Sequence, residues 1–227
     1  HALMLQGVSA EKIRETNGCS AGALKAAGFD AAALARAGFS PKEKEAGKLH
    51  LVYSGIIDAI RNPIPLMEAL KAEFESGKEE VKWTFVGKVS EHVQAYVKQD
   101  AWLSERIHFA GYVSHGEVFG FYAKADVLVL ILTDTKNAQG NIPGKLFEYL
   151  ATGVPVLALG DPKGDSAKIL KDAGAGEVIA HTDASTIRGQ LRVLMDSSAK
   201  KVDPKDLEKY SRQYLSHQLA KNLDELA

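Results

Sequence analysis

Lys145 and Glu148 stand three residues apart in the run Asn141-Ile142-Pro143-Gly144-Lys145-Leu146-Phe147-Glu148-Tyr149-Leu150-Ala151. That spacing puts both on one face of a helix. A lysine offers positive charge to phosphate, and a carboxylate accepts hydrogen bonds from sugar hydroxyls. Pro143 suits the first helical turn, where its missing N–H costs nothing, and Gly144 lets a ligand approach the backbone closely. The N–H groups and positive dipole end of such a helix favour an anion such as a diphosphate. Cation and carboxylate together at a helix start suit a nucleotide-sugar. Leu146, Phe147, Leu150 and Ala151 supply the packed side, and Gly153-Val154-Pro155-Val156-Leu157-Ala158 leads on into a strand.

Other reactive side chains form no comparable pattern. His108 and His115 flank one strand without a spaced carboxylate or cysteine set, so no metal site is expected. Gly160-Asp161-Pro162-Lys163-Gly164-Asp165-Ser166 lacks Walker spacing, and Asp165 reads as an N-cap rather than a catalytic acid. The single cysteine, Cys19, rules out an intrachain disulfide and fits a reducing compartment. A formal charge of −1 argues against a general nucleic-acid binder. The longest apolar stretch, 127–132, is far too short to span a bilayer. The start, His1-Ala2-Leu3-Met4, lacks the form of a signal peptide and reads as a tag remnant or a cut from a longer chain.

The 227 residues divide into two unlike parts. Within 1–47, Gly7-Val8-Ser9-Ala10, Gly18-Cys19-Ser20-Ala21, Gly28-Phe29-Asp30-Ala31 and Gly38-Phe39-Ser40-Pro41 recur about every ten residues. Ser9, Ser20, Asp30 and Ser40 are N-cap candidates for short helices that would stack as a spacer or docking surface. From 48 to 227 strand-like and helix-like segments alternate. Strands are expected at 49–54, 82–86, 107–110, 127–132, 154–159 and 177–180. Helices are expected at 63–74, near 91–101, and at 116–123, 143–152, 166–173, 185–195 and 204–226. Nearly all-apolar strands alternating with helices predict an α/β, doubly wound, Rossmann-like parallel sheet, with ligands at the strands' carboxyl ends. Tyr210, Tyr214, Leu215, Leu219, Leu223 and Leu226 give the last helix an apolar stripe, read chiefly as packing on its own sheet. The other reading is contact with another chain, including self-association.

Several segments match in order and spacing: Val52-Tyr53-Ser54-Gly55 with Arg61-Asn62-Pro63, Phe85-Val86-Gly87, and Ile107-His108-Phe109-Ala110-Gly111-Tyr112-Val113. Ala125-Asp126-Val127-Leu128 and the Pro143–Val156 run follow. On these, the region from about 49 to 227 resembles the C-terminal, donor-binding domain of GT-B glycosyltransferases, especially the retaining group with many bacterial surface-polysaccharide enzymes. The resemblance implies that Glu148 accepts hydrogen bonds from ribose, while Gly144, Lys145 and Arg61 hold the diphosphate of a donor such as a UDP- or GDP-sugar, with no metal. Gly55 would leave room for the donor, and the segment ending in Tyr112 and Val113 would sit beside the base. Arg61 can also be read as a solvated helix-start residue, Glu148 as an exposed helix acid, and Tyr112 as packing against the sheet.

The sequence departs from the pattern in two places. Retaining members commonly carry a second glutamate eight positions before the residue matched by Glu148; here that position is Gly140. Many relatives also have a basic residue directly after the first-strand glycine; here it is Ile56. Residues 1–47 cannot supply the second Rossmann-like domain that holds the acceptor. The implied function is therefore transfer of a sugar to a glycan or lipid-linked acceptor once an acceptor domain or partner chain is present. The alternative is a non-catalytic nucleotide-binding or scaffolding module. Either fits the cytoplasm, with attachment at the membrane surface through partners left open, and no catalytic residue is assigned.

Overall fold

Leu49, Leu51 and Tyr53 are buried on one side of the first strand while Val52 is buried on the other, so this strand must be covered on both faces. The structure is a computed structural model that describes residues 45–133, 135, 138–195, 209–210 and 212–225. The ten-residue units, their N-cap candidates and Cys19 lie outside the described residues.

The described chain runs β1 (Lys48–Ser54), α1 (Ile64–Phe74), β2 (Glu80–Val86), α2 (Glu91–Lys98), α3 (Ala101–Arg106), β3 (Ile107–Gly111) and α4 (His115–Ala123). It continues through β4 (Val127–Ile131), a 3-10 turn (Ala138–Gly140), α5 (Gly144–Thr152), β5 (Val156–Leu159), α6 (Asp165–Asp172), β6 (Gly176–Ile179), α7 (Ala184–Met195) and α8 (Arg212–Asp224). The strands form one six-stranded sheet in the order β3-β2-β1-β4-β5-β6. Every pairing is parallel. This is the expected doubly wound α/β fold.

Two cores result. Leu51, Tyr53, Trp83, Val129 and Leu157 meet α1, α2, α3 and α7 on one face. Val52, Leu128, Leu130 and Ala158 meet α4, α5 and α6 on the other. Even in the wholly apolar β4, odd and even positions therefore serve different helices.

The differences from the sequence reading are local. The single helix expected near 91–101 is two, because Asp100 turns extended and caps α3 by accepting a hydrogen bond from Leu103 N at 3.0 Å. The ladder of β5 begins at Val156, whose N–H donates to Ala175 O at 2.8 Å; Pro155 has no N–H to give. The apolar stripe of the last helix does not pack wholly on the sheet. Tyr210 approaches Phe147, but Tyr214, Leu219 and Leu223 are exposed. Among the described residues no helix is long and apolar enough to cross a membrane.

Candidate functional site

In this strand order the chain leaves β1 toward β2 and leaves β4 toward β5, so the two connections part and open a crevice above their carboxyl ends. Gly55 and Arg61 lie on the β1–α1 connection; Gly144, Lys145 and Glu148 open α5, after β4. Residues ninety positions apart in sequence thus face one another only because β1 and β4 are neighbours.

Lys145 bridges the crevice. Its Nζ donates to the Ser54 carbonyl at 2.6 Å and to the Tyr53 hydroxyl at 3.0 Å. It also stands 4.2 Å from the centroid of the Tyr53 ring. Gly55 is required here twice over. Its φ of +117° is one that L side chains rarely adopt, and a Cβ would lie 2.8 Å from Lys145 Nζ. Burial, and after it the charge of Arg61, pulls the Lys145 pKa down to about 8, with Glu148 opposing. The side chain therefore remains a cation at neutral pH.

Arg61 has a carboxylate of its own: its guanidinium meets Asp58 at 2.6 Å. Glu148 sits one turn beyond Lys145, half-buried, with the Tyr122 hydroxyl of α4 approaching its Oε2 at 3.5 Å. That hydroxyl is 2.6 Å from Ser54 Oγ. Tyr149 accepts from Ser54 N at 3.1 Å and lies 3.2 Å from Ser54 Oγ. Burial raises the pKa of both phenols, that of Tyr149 up to about 12, so both stay protonated. The last residue of β1 thereby ties α4 and α5 together beneath the crevice.

Pro143 takes the N-cap place of α5 rather than its first turn, and no side chain caps the helix. Its N-terminal amides and dipole end face the crevice side of the sheet and favour an anion. At position 140 the chain closes the 3-10 turn. Next to it, the Asn141 side chain donates to Thr133 Oγ1 at 3.0 Å and the Asn141 carbonyl accepts from Ser166 Oγ at 2.6 Å, which holds the loop against α6. Asp165 is the first residue of α6, and Gly164 is the N-cap in its place.

Tyr112 and Val113 follow β3, two strands away from β1. Lateral bonds beyond the strand ends link these tips: Gly55 N donates to Val86 O at 2.8 Å and Gly87 N to Gly111 O at 2.7 Å. Tyr112 is 91% exposed, so it does not pack against the sheet, whereas Val113 is half-buried on the second core. Sequence reasoning missed Tyr53, Ser54, Asp58, Tyr122 and Tyr149. Tyr53, Ser54 and Tyr149 sat inside segments already singled out, but their burial marked them only as core. Among the described residues no three His, Cys, Asp or Glu side chains gather as a metal site would need.

A six-stranded parallel sheet with an anion-favouring helix start at its switch point is a Rossmann-like lobe, and it matches the corresponding half of GT-B glycosyltransferase structures. Residues 48–197 match the family described as glycosyl transferases group 1, and the chain belongs to that family. No curated protein sequence matches it. Among solved structures it is similar to the apo lipopolysaccharide outer core galactosyltransferase WaaB, with a TM-score of 0.66 and 16% identity over 83% of this chain and 52% of that one. HepE of Anabaena in complex with UDP aligns with a TM-score of 0.54 and 14% identity over 87% of this chain and 56% of that one. The C-terminal domain of LpcC, a glycosyl transferase group 1 family protein from Francisella tularensis, aligns with a TM-score of 0.54 and 19% identity, covering 86% and 98%. The chain thus spans about half the length of WaaB and HepE and nearly all of the isolated LpcC domain.

Proposed function

We propose that this lobe binds a nucleotide-sugar such as a UDP- or GDP-sugar and, combined with an acceptor domain or partner chain, donates the sugar to a glycan or lipid-linked acceptor. The observation that carries this reading is the meeting of Lys145 and Glu148 with the end of β1 at the switch point. Lys145, the α5 N-terminus and Arg61 would stabilise the diphosphate as it leaves, since fixed cations and dipoles act where negative charge develops. Glu148 would accept from the ribose hydroxyls, Gly55 and Gly144 would let the diphosphate approach the backbone, and Tyr112 and Val113 would flank the base. No metal or cofactor beyond the donor is part of the reading. HepE, crystallised with UDP, shares the fold and supports it.

Calorimetry with UDP, GDP and ADP tests the proposal; failure of all three to bind ends it. A cytoplasmic setting is part of the reading, supported by a sequence with one cysteine. The exposed Tyr214, Leu219 and Leu223 of α8 favour a second role in contact with another chain, including self-association. Light scattering over a concentration series tests that role, and a strictly monomeric species throughout removes self-association.

A further inference from the structure

Lys145 does not reach the crevice unaided. Its ammonium has three N–H donors, and two are engaged: one to the Ser54 carbonyl at 2.6 Å and one to the Tyr53 hydroxyl at 3.0 Å. The polarity of the second bond is fixed by a third contact. The Tyr53 hydroxyl has a single proton, which it donates to the Ile56 carbonyl at 2.9 Å, so toward Lys145 it can only accept. The Tyr53 ring is fully buried and cannot swing away, and its face lies 4.2 Å from the same nitrogen.

We propose that Tyr53 is a positioning residue for Lys145, holding the ammonium at the switch-point crevice so that its remaining N–H meets a phosphate oxygen of the donor. The inference rests on the nucleotide-sugar reading above and deepens it by naming what aims the cation. Through Ile56 the same hydroxyl fixes the start of the β1–α1 connection, which carries the Asp58–Arg61 pair. One phenol on β1 therefore sets the place of one cation and the loop of the other.

Lys145 feels Tyr53 on β1, Arg61 on the connection and Glu148 on α5. Tyr53 in turn feels Tyr149 on α5 with Arg61 and Asp58 on the connection, while Tyr122 on α4 meets Ser54, Tyr149 and Glu148. Burial, with Tyr149 and Asp58 adding to it and Arg61 opposing, keeps the Tyr53 phenol protonated well above its ordinary range, so it stays a neutral acceptor at any working pH. Burial and Arg61 disfavour the charged form of Lys145, and an accepting hydroxyl favours it.

The test is Tyr53→Phe, which keeps the ring and removes only the hydroxyl. In lysine-labelled protein the Lys145 ε-CH2 signal, identified by its loss in Lys145→Arg, is titrated by carbon–proton correlation spectroscopy. In the variant the midpoint falls below the wild-type value by about half a pH unit or more, because the charged form has lost an acceptor. Nucleoside diphosphate affinity measured from pH 6 to 9 loses its alkaline half by the same displacement. An unmoved midpoint overturns the proposal, since a merely structural tyrosine would alter stability without moving it. A measurement on the unaltered protein stands if the variant does not fold: the Lys145 ε-CH2 protons show an upfield ring-current shift from Tyr53, and its absence overturns the proposal. If wild type binds none of UDP, GDP or ADP, the donor reading fails, while the titration still decides the role of Tyr53.

Discussion

Replacing Gly55 by alanine tests two separable claims about the crevice: that its floor needs an unusual backbone, and that Lys145 needs the space above it. The φ of +117° at Gly55 would strain an L residue by about 1–3 kcal/mol. The new Cβ would stand 2.8 Å from Lys145 Nζ and 3.6 Å from its Cε, so the ammonium must move off the Ser54 carbonyl. Loss of one charge-assisted hydrogen bond adds about 1.5–3 kcal/mol before water recovers part of it. Gly111→Ala is the matched control, because its φ is +71° and its Cβ would meet nothing within 4 Å. Strain alone should cost that variant about 1–2 kcal/mol. Urea unfolding followed by Trp83 and Trp102 fluorescence should therefore rank Gly55→Ala below Gly111→Ala by about 1 kcal/mol or more. Calorimetry with pyrophosphate, which lacks base and ribose, should show Gly55→Ala weakened about tenfold or more, equivalent to about 1.4 kcal/mol, and Gly111→Ala unchanged. Equal stability and equal affinity in the two variants would refute the reasoning, because the close contact with Lys145 is present at Gly55 and absent at Gly111.

Three further outcomes are expected. Glu148→Ala should weaken nucleoside diphosphate binding by about 1–3 kcal/mol while sparing pyrophosphate, and calorimetry showing equal loss for both ligands would remove Glu148 from the ribose. Asp58→Asn frees Arg61 from its 2.6 Å ion pair and should tighten pyrophosphate binding by up to about fivefold, the worth of a partly exposed pair; weaker binding would show that Asp58 aims Arg61 rather than competing for it. With pH, affinity and stability should move oppositely. The folded pKa of Lys145, about 8, lies below the unfolded value of about 10.4, so between these the unfolded chain binds more protons and stability rises with pH. The burial penalty is present in full below pH 8. Over the same window neutralised Lys145 loses its hold on diphosphate, so urea titrations and calorimetry at pH 7, 8 and 9 that both decline together would contradict this assignment.

Much of the lobe was legible in the sequence. All-apolar strands such as 127–132 cannot tolerate a wet face, so alternation with helices forced a parallel sheet covered on both sides. Three-residue spacing put Lys145 and Glu148 on one helical face, a local consequence of helix geometry that tertiary structure could not undo. The break at Asp100 and the start of β5 at Val156 were misread, although both are local and set by a capping carboxylate and a proline. What the sequence could not decide was which loops would meet. Gly55 and Lys145 lie ninety residues apart, and only the insertion of β1 beside β4 brings the Ser54 carbonyl to Lys145 Nζ. Tyr53, Ser54, Tyr122 and Tyr149 read as core in any linear pattern, because burial is what periodicity detects. Their hydroxyls matter only where three elements converge, and so did the partner of Arg61, since sequence places Asp58 nearby without saying whether the two point toward each other. Periodicity fixes which face a residue presents to its own element; strand order fixes which faces confront one another, and this site exists only at such a confrontation.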